Sequence, residues 1–311
     1  MAEPAPALEV RLDYEGIGVS RVLATAGSQV DAEQTTSLAR QLRADWLVLD
    51  GYHFDAAYQR AIVEMGLGLL VVDDYGHASH YYADLVLNQN IHASEALYNR
   101  REPYTDLLLG TSYVLLRREF GAWRGWQREI AGIGRRVLVS LGGADPDNVT
   151  CQAIAALEGV DVQDLEAVVL VGASNPHSEE LRHAVRQSRL SFCLKRNVSN
   201  MPELMAWADV VVSAGGSTCW ELAFMGVPGL LLITAENQRA AVQRLSEEQV
   251  FLCMEGTVPL DIRGLALAVT ELTRSRVSRQ LMSQRGQQLV DGLGVMRVAN
   301  SIGQSVARST E

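Results

Sequence analysis

Two short stretches of this chain carry residue types able to hold a bulky anion. The first is Val210-Val211-Val212-Ser213-Ala214-Gly215-Gly216-Ser217-Thr218-Cys219-Trp220-Glu221. It reads as a buried strand, a tight glycine turn and the first turn of a helix. Gly215 and Gly216 let the backbone approach a ligand closely. Ser217 and Thr218 put hydroxyls and unsatisfied N–H groups at the helix start, where a phosphate is favoured. Glu221 follows within the first turn, where its carboxylate is able to accept hydrogen bonds from ribose hydroxyls. The second stretch, Val137-Leu138-Val139-Ser140-Leu141-Gly142-Gly143-Ala144-Asp145-Pro146, repeats the pattern. Two such junctions suggest a nucleotide diphosphate held by backbone amides. Neither has the spacing of a dinucleotide fingerprint or a P-loop. Taken singly, each is equally well a plain strand-to-helix turn.

Polar side chains gather at the ends of the predicted strands. In the first half these are Asp50, Tyr52 and His53, then Asp73 and Asp74, then Asn88, Gln89 and Asn90. In the second half they are Asp145 and Asn148, Ser174 and Asn175, Asn200, Ser217 and Glu221, then Glu236, Asn237 and Gln238. Many neutral amides with few cations suit a ligand rich in hydroxyls and acetamides, such as a sugar, because amides both donate and accept. Asp145, Asn148 and Asn200 fit helix caps equally well. The Glu236-Asn237-Gln238 loop ahead of a helix favours binding. His53 lies three positions after Asp50 and is placed to take a proton from water, although a loop histidine without a catalytic task is the stronger reading. Asp73 and Asp74, as strand neighbours, point to opposite faces and do not share an ion. His77 and His80 read as surface histidines of a loop.

The 311 residues suffice for two domains, and 48% of them are apolar, enough for a sizeable core. A net charge of -10 without a basic run argues against nucleic acid as a partner. The four cysteines (Cys151, Cys193, Cys219, Cys253) show no paired spacing, which predicts buried free thiols in a reducing compartment. The six histidines form no ligand pattern, so no metal and no other cofactor is expected. Met1-Ala2-Glu3-Pro4 lacks a basic and an apolar region, so no signal peptide is expected; no apolar run spans a bilayer, and a cytoplasmic location follows.

These residues need strands and helices to position them. Short apolar runs alternate with amphipathic ones, which predicts parallel sheets covered by helices on both faces. Strands are expected at Trp46–Asp50, Gly68–Asp74, Asp84–Asn88 and Asp106–Gly110. Helices are expected at Asp31–Arg43 and Ala56–Met65. Ala122 to Gly134 is polar and helical in composition. A second α/β series starts at Arg135, with strands Arg136–Leu141, Glu166–Val171, Ser191–Leu194, Asp209–Ser213, Gly229–Ile233 and Val250–Cys253. Its helices are Asn148–Leu157, Ser178–Gln187, Met201–Trp207, Thr218–Met225 and Gln238–Glu247, and the tail from Leu260 is helical. The domain boundary is expected near residue 132, giving domains 1–132 and 133–311. Two doubly wound halves facing across a cleft put both glycine turns at strand C-termini, where such sheets bind ligands.

At these positions the chain resembles the UDP-sugar hydrolase family of pseudaminic acid biosynthesis, which removes UDP from UDP-2,4-diacetamido-2,4,6-trideoxy-β-L-altropyranose, and related spore-coat polysaccharide proteins. The matching segments run in family order. They include Asp50-Gly51-Tyr52, Val72-Asp73-Asp74, Leu87-Asn88-Gln89-Asn90, the stretch from Leu109 to Arg117, both glycine turns, Gly172 to His177, Asn200 to Met205 and Asn237-Gln238. The resemblance implies a two-domain GT-B glycosyltransferase-like fold with UDP held mainly by the second domain. By that resemblance Gly215, Gly216, Ser217, Thr218 and Glu221 belong to the UDP site, with Tyr52 and Asn237 facing the sugar; Gly142, Gly143, Asp145, Ser174, Asn175 and Gln238, at the strand ends, complete the expected substrate site. The family opens with a strand, a Gly-x-Gly-His turn and a helix, and its histidine is taken as the base that activates water. This sequence has no such turn. Gly16-Ile17-Gly18 is followed by Val19 and an apolar run that reads as a strand, so Leu8 to Thr25 resembles a later helix–Gly–strand segment of the family. The first domain is therefore expected to be incomplete, through a misassigned start or a truncation, or to be completed by a missing segment or a partner. The UDP half is expected to bind and hydrolysis to be weak or absent, with Tyr52, His53 and Asn237 as the remaining catalytic candidates. The alternatives are a GT-B glycosyltransferase acting on an acceptor and a non-catalytic UDP-sugar-binding remnant.

Overall fold

A computed structural model describes residues 6–309 except 197. Met1-Ala2-Glu3-Pro4, read above for a leader, lie outside the described residues. The chain forms two compact units. One runs to Leu115 and resumes at Leu293; the other is Leu116–Gly292.

The first unit holds α1 (Pro6–Tyr14), α2 (Gln29–Leu42), β1 (Trp46–Asp50), α3 (Ala56–Val63), β2 (Gly68–Val72), β3 (Leu85–Asn88) and β4 (Asp106–Leu109). The four strands are parallel, in the order β1-β2-β3-β4. Because both faces are apolar, each must be covered. Leu49, Leu69, Val71 and Val86 pack with Tyr58 and Ile62 of α3 and Ala32 of α2. Leu70, Leu85, Leu87 and Leu108 pack on the other side with Val298 and Ile302 of the terminal helix, Gly294–Ser309. That helix enters through Gly294, where a Cβ would lie 2.2 Å from the Val114 carbonyl oxygen. Arg297 fastens it by donating to the Ser112 carbonyl at 2.7 Å. Ser28 caps α2 through the Asp31 N–H, and Asp55 caps α3 through the Tyr58 N–H.

The strand expected after Gly18 does not form. Ile17, Val19 and Leu23 are 53%, 50% and 84% exposed, and the described backbone there pairs with no neighbouring strand. A strand needs a neighbour to complete its ladder, and apolar composition alone does not supply one.

The second unit holds β5 (Arg136–Ser140), α4 (Val149–Leu157), β6 (Glu166–Val171), α5 (Ser178–Gln187), β7 (Ser191–Arg196), α6 (Met201–Trp207), β8 (Val210–Ala214), α7 (Thr218–Phe224), β9 (Gly229–Ile233), α8 (Arg239–Glu247), β10 (Leu252–Glu255), α9 (Ile262–Arg274) and α10 (Arg276–Leu289). Its six strands are parallel, in the order β10-β9-β8-β5-β6-β7. Winding therefore starts at β5 and reverses between β5 and β8. Val137, Val139, Val169, Val212 and Leu232 make one core with Ala153 and Leu157 of α4, Leu181 of α5, and Leu265 and Val269 of α9. β10 starts two residues later than expected, because the N–H groups of Val250 and Phe251 still close the end of α8 on the Leu245 carbonyl.

The units divide at Leu115 and Leu116, not at residue 132, and the terminal helix returns to the first unit. Ala122 to Gly134 forms no α-helix. It is held instead within the second unit by side-chain donors. Arg128 donates to the carbonyls of Met225 (3.1 Å), Ala208 (2.6 Å) and Met205, closing the ends of α6 and α7. Burial pushes its pKa down to about 10. Arg279 of α10 donates to the carbonyls of Ala131 (2.6 Å) and Gly132 (3.2 Å), and Gln287 to that of Trp126 at 3.0 Å.

Candidate functional site

The two glycine turns leave adjacent strands at one level. β5 and β8 pair from Val137 opposite Val210 to Ser140 opposite Ser213. Gly142-Gly143 and Gly215-Gly216 each follow those ends after one residue, at the reversal point of the winding, the place where open α/β sheets bind ligands. Gly172, after β6, packs against the first turn: a Cβ there would lie 2.0 Å from the Gly143 carbonyl oxygen. A Cβ on Gly215 would meet Val242 of α8 at 2.1 Å. Gly143 and Gly216 differ. Neither has a positive φ, and a Cβ on either would have no atom within 4 Å. The fold itself does not require glycine at these two places.

The second turn runs into α7. The first bonds there go from Cys219 N–H to Gly216 (3.0 Å) and from Trp220 N–H to Ser217 (3.2 Å). The N–H groups of Gly216, Ser217 and Thr218 precede these bonds. Ser217 is exposed, whereas Cys219 is buried beneath the turn, and burial pushes its thiol up. The Glu221 side chain is 12% exposed. Arg117 grips it bidentately, Nε to Oε1 at 2.7 Å and Nη2 to Oε2 at 2.9 Å. Burial raises the Glu221 pKa, and Arg117 opposes the rise. Sequence reasoning missed Arg117 as a site residue. Its only signal was its place at the end of the Leu109–Arg117 segment.

Other expected residues do different work. Asp145 is 7% exposed, and its two oxygens accept the N–H groups of Val149 (2.8 Å) and Thr150 (3.0 Å). It caps α4, and its own negative charge fills the place an anion would take. Asn175 is buried, and its Oδ1 accepts the His177 N–H at 2.8 Å; Ser174 beside it is exposed. Asn148 donates to Glu180 at 2.6 Å, and Asn200 to Glu203. Asn237 is exposed in a 3-10 turn, Glu236–Gln238, where Glu236 pairs with Arg239 at 3.1 Å. Gln238 reaches back, its Oε1 accepting from Thr234 N–H (3.0 Å) and Oγ1 (3.1 Å). Of the cysteines expected to be buried, Cys219 is buried and Cys151 half-buried, whereas Cys193 on β7 and Cys253 on β10, the two edge strands, are exposed.

The first unit gathers its own polar cluster at the ends of β1, β2 and β3. Tyr52 donates to Asp74, whose other oxygen accepts from Asn90 at 2.7 Å. Asn88 donates to the Asp74 carbonyl (2.9 Å) and the Tyr98 hydroxyl (2.8 Å). Gln89 accepts the Leu115 N–H at 2.9 Å. Asp73 turns inward and is 1% exposed. It accepts from the N–H groups of Tyr75 (3.0 Å) and Gly76 (3.1 Å) and from the Tyr81 hydroxyl. His77, expected at the surface, is buried: its side chain is 6% exposed, with Nδ1 at 3.2 Å from Asp73 and Nε2 at 3.3 Å from the Phe54 carbonyl. Nε2 thus has a hydrogen-bond partner, whereas Nδ1 lies within ion-pair distance of the carboxylate without hydrogen-bond geometry. The neighbouring Asp73 carboxylate raises the His77 pKa. Burial opposes the charge on Asp73, yet His77, Tyr81 and the backbone together hold its carboxyl well below the usual range. His80 pairs with Glu102 at 2.9 Å. His53 is exposed, its ring packed on Phe54 at 4.2 Å rather than against an acid. Asp50 is exposed at the end of β1. Among the described residues no helix is long and apolar enough to cross a membrane.

Two α/β units with parallel sheets, one of them doubly wound with paired glycine turns, define a GT-B glycosyltransferase-like protein. The solved structures agree: Acinetobacter baumannii MurG superposes with a TM-score of 0.64 at 14% identity, over 97% of this chain and 89% of that one. Anabaena HepE in complex with UDP-glucose gives 0.58 at 15% identity, over 97% and 90%. Residues 137–292 match the glycosyltransferase family 28 C-terminal domain, and the chain belongs to that family. Three relatives are distant homologues. An uncharacterized protein of Methanocaldococcus jannaschii is 29% identical over 64% of this chain and 42% of its own length. The spore coat polysaccharide biosynthesis protein SpsG of Bacillus subtilis is 26% identical over 74% and 67%. The pseudaminic acid cytidylyltransferase and UDP-2,4-diacetamido-2,4,6-trideoxy-beta-L-altropyranose hydrolase of Helicobacter pylori is 24% identical over 62% and 35%. The matched stretch thus spans less than half of the first and the last of these relatives.

Proposed function

We propose that this protein acts on a UDP-sugar in surface polysaccharide biosynthesis and releases UDP by water attack at the anomeric carbon. One observation carries the reading. Gly143 and Gly216 each lie three residues beyond the paired Ser140 and Ser213 at the reversal point of the second sheet, uncrowded and without positive φ, where nothing in the chain demands glycine. A ligand pressed against the backbone does demand it. In this reading the diphosphate lies over the two turns and takes N–H donors from Gly216, Ser217 and Thr218. Glu221 accepts from the ribose. The net charge of -10 is no obstacle, since oriented N–H groups supply the local positive potential. The same donors stabilise charge growing on the leaving diphosphate.

Within the second unit, the sugar side is proposed to involve Asn237, with Gln238, Ser174 and Asn175 shaping the loops. Asp145 is proposed to order the first turn, since both its oxygens accept from the start of α4. The name of the Helicobacter relative, which includes a hydrolase, supports water as the acceptor. The family match to glycosyltransferases favours a second reading, transfer to a hydroxyl of another molecule. Incubating the purified protein with UDP-sugars, with and without candidate acceptors, separates the two. UDP release without an acceptor is the expected result. Release only with an acceptor makes it a transferase. Tight UDP binding with no release under either condition leaves a binding protein and rejects both.

A further inference from the structure

We propose that Arg117 is a positioning residue that fixes Glu221 for recognition of a ribonucleotide over its deoxy counterpart. This rests on the reading above, in which Glu221 accepts from the ribose. A glutamate in the first turn of a helix has several staggered rotamers open to it, and at 12% exposure its charge is poorly solvated. The Arg117 fork answers both problems. Its two donors satisfy one acceptor direction on each carboxylate oxygen at 2.7 and 2.9 Å. An ionised carboxyl offers about four such directions, so one remains on each oxygen for an incoming hydroxyl.

Arg117 is itself held from more than one side. Its guanidinium lies 5.5 Å from the centre of the Phe120 ring, and Phe120 meets Phe224 edge-on at 6.2 Å. Glu119 Oε1 stands 3.2 Å from Arg117 Nη1. Glu221 and Phe224 are three residues apart on α7, hence on one helix face. The segment that opens the second unit is thus docked twice on the helix that carries the carboxylate, once by the ion pair and once by the ring contact. A freely mobile surface arginine would have neither. The bidentate geometry makes lysine a poor substitute, because an ammonium offers a point charge without the fork.

The test is calorimetric binding of UDP, 2′-deoxy-UDP and 3′-deoxy-UDP to the whole chain and to Arg117→Met, Arg117→Lys, Glu221→Gln and the Met/Gln double variant, with melting temperatures as the check on folding. The wild type is expected to favour UDP over at least one deoxy analogue by about tenfold or more, the usual worth of a hydrogen bond to a charged group. Glu221→Gln and Arg117→Met each reduce that preference to about threefold or less, Arg117→Lys falls between, and the double variant is no worse than Glu221→Gln. Loss of preference in Glu221→Gln with full preference kept in Arg117→Met overturns this inference and leaves the ribose reading standing. So does an additive double variant, which marks Arg117 as merely structural. No preference in the wild type, or an unchanged one in Glu221→Gln, overturns the ribose reading and the inference with it.

Discussion

Ser213 on β8 lies directly opposite Ser140 on β5, and its hydroxyl donates to the Ser140 carbonyl at 3.0 Å. The bond ties the two strands at the last level before both glycine turns open. Ser213 is fully buried, and removing its hydroxyl takes the donor from this part-buried bond. Ser213→Ala is expected to cost about 1 kcal/mol of stability and to weaken UDP binding through a looser spacing of the turns. Urea denaturation and calorimetry on the same sample check both effects; a stability loss with unchanged affinity would show that the bond does not set the spacing.

The glycines divide into two groups, and alanine substitution reads the division. Gly215→Ala and Gly172→Ala drive a methyl group to 2.1 Å from Val242 and 2.0 Å from the Gly143 carbonyl oxygen. Each is expected to destabilise by about 1–3 kcal/mol or more, as overpacking does. Gly143→Ala and Gly216→Ala meet open space and should melt like the wild type. Their cost should appear only on UDP addition, as an affinity loss of about tenfold, or about 1.4 kcal/mol. Equal UDP affinity in both of the latter variants would refute the proposed nucleotide position.

The Asp73–His77 pair gives the first unit a pH signature. Asp73 has a depressed folded pKa, so its contribution is present above the ordinary carboxylate value of about 4 and is lost as pH falls through the depressed one. His77 has a raised folded pKa, so its contribution is complete below the ordinary imidazole value of about 6.5 and is lost as pH rises through the raised one. Tyr81 and Asp55 also face the pair, and Tyr81 stays protonated because burial pushes its phenol far up. Hydrogen exchange across β2 and β3 should therefore slow most between about pH 4 and 6.5, once corrected for intrinsic rates. His77→Gln should be less stable by about 3 kcal/mol at pH 5 and should lose the decline on the alkaline side. A wild-type profile flat from pH 5 to 9 would contradict the assignment.

Arg128 joins the segment after Leu116 to the ends of α6 and α7 through three carbonyl groups. Arg128→Met removes those donors from a buried place and is expected to lower stability by about 3 kcal/mol. Arg128→Lys should restore only part of it, since a lysine cannot span three carbonyls with a planar fork. A shift of the denaturation midpoint by less than a quarter of that amount would mean that the carbonyls find water instead.

Much of the architecture was legible before any coordinates. Runs such as Leu69-Leu70-Val71 and Val210-Val211-Val212 are apolar on both faces, a pattern tied to parallel strands between helices, and the glycines after Ser140 and Ala214 mark where the chain turns. The sequence places Asp73 at a strand end and His77 in a surface loop, whereas the fold buries the two together with Tyr81. Val19 was read too strongly, as a strand, because apolar character does not reveal whether a partner strand lies alongside.

What the sequence determined by itself is periodic and local: two parallel α/β series and the position of each glycine turn. Tertiary structure decided the rest, because it depends on groups far apart in the chain. Arg117 meets Glu221 across 104 positions, and Arg279 meets Ala131 across 148. The last helix returns to cover Leu70 and Leu87 rather than the nearer second sheet. Such pairings arise only when burial forces each donor, acceptor and apolar face to find a partner, wherever along the chain that partner lies.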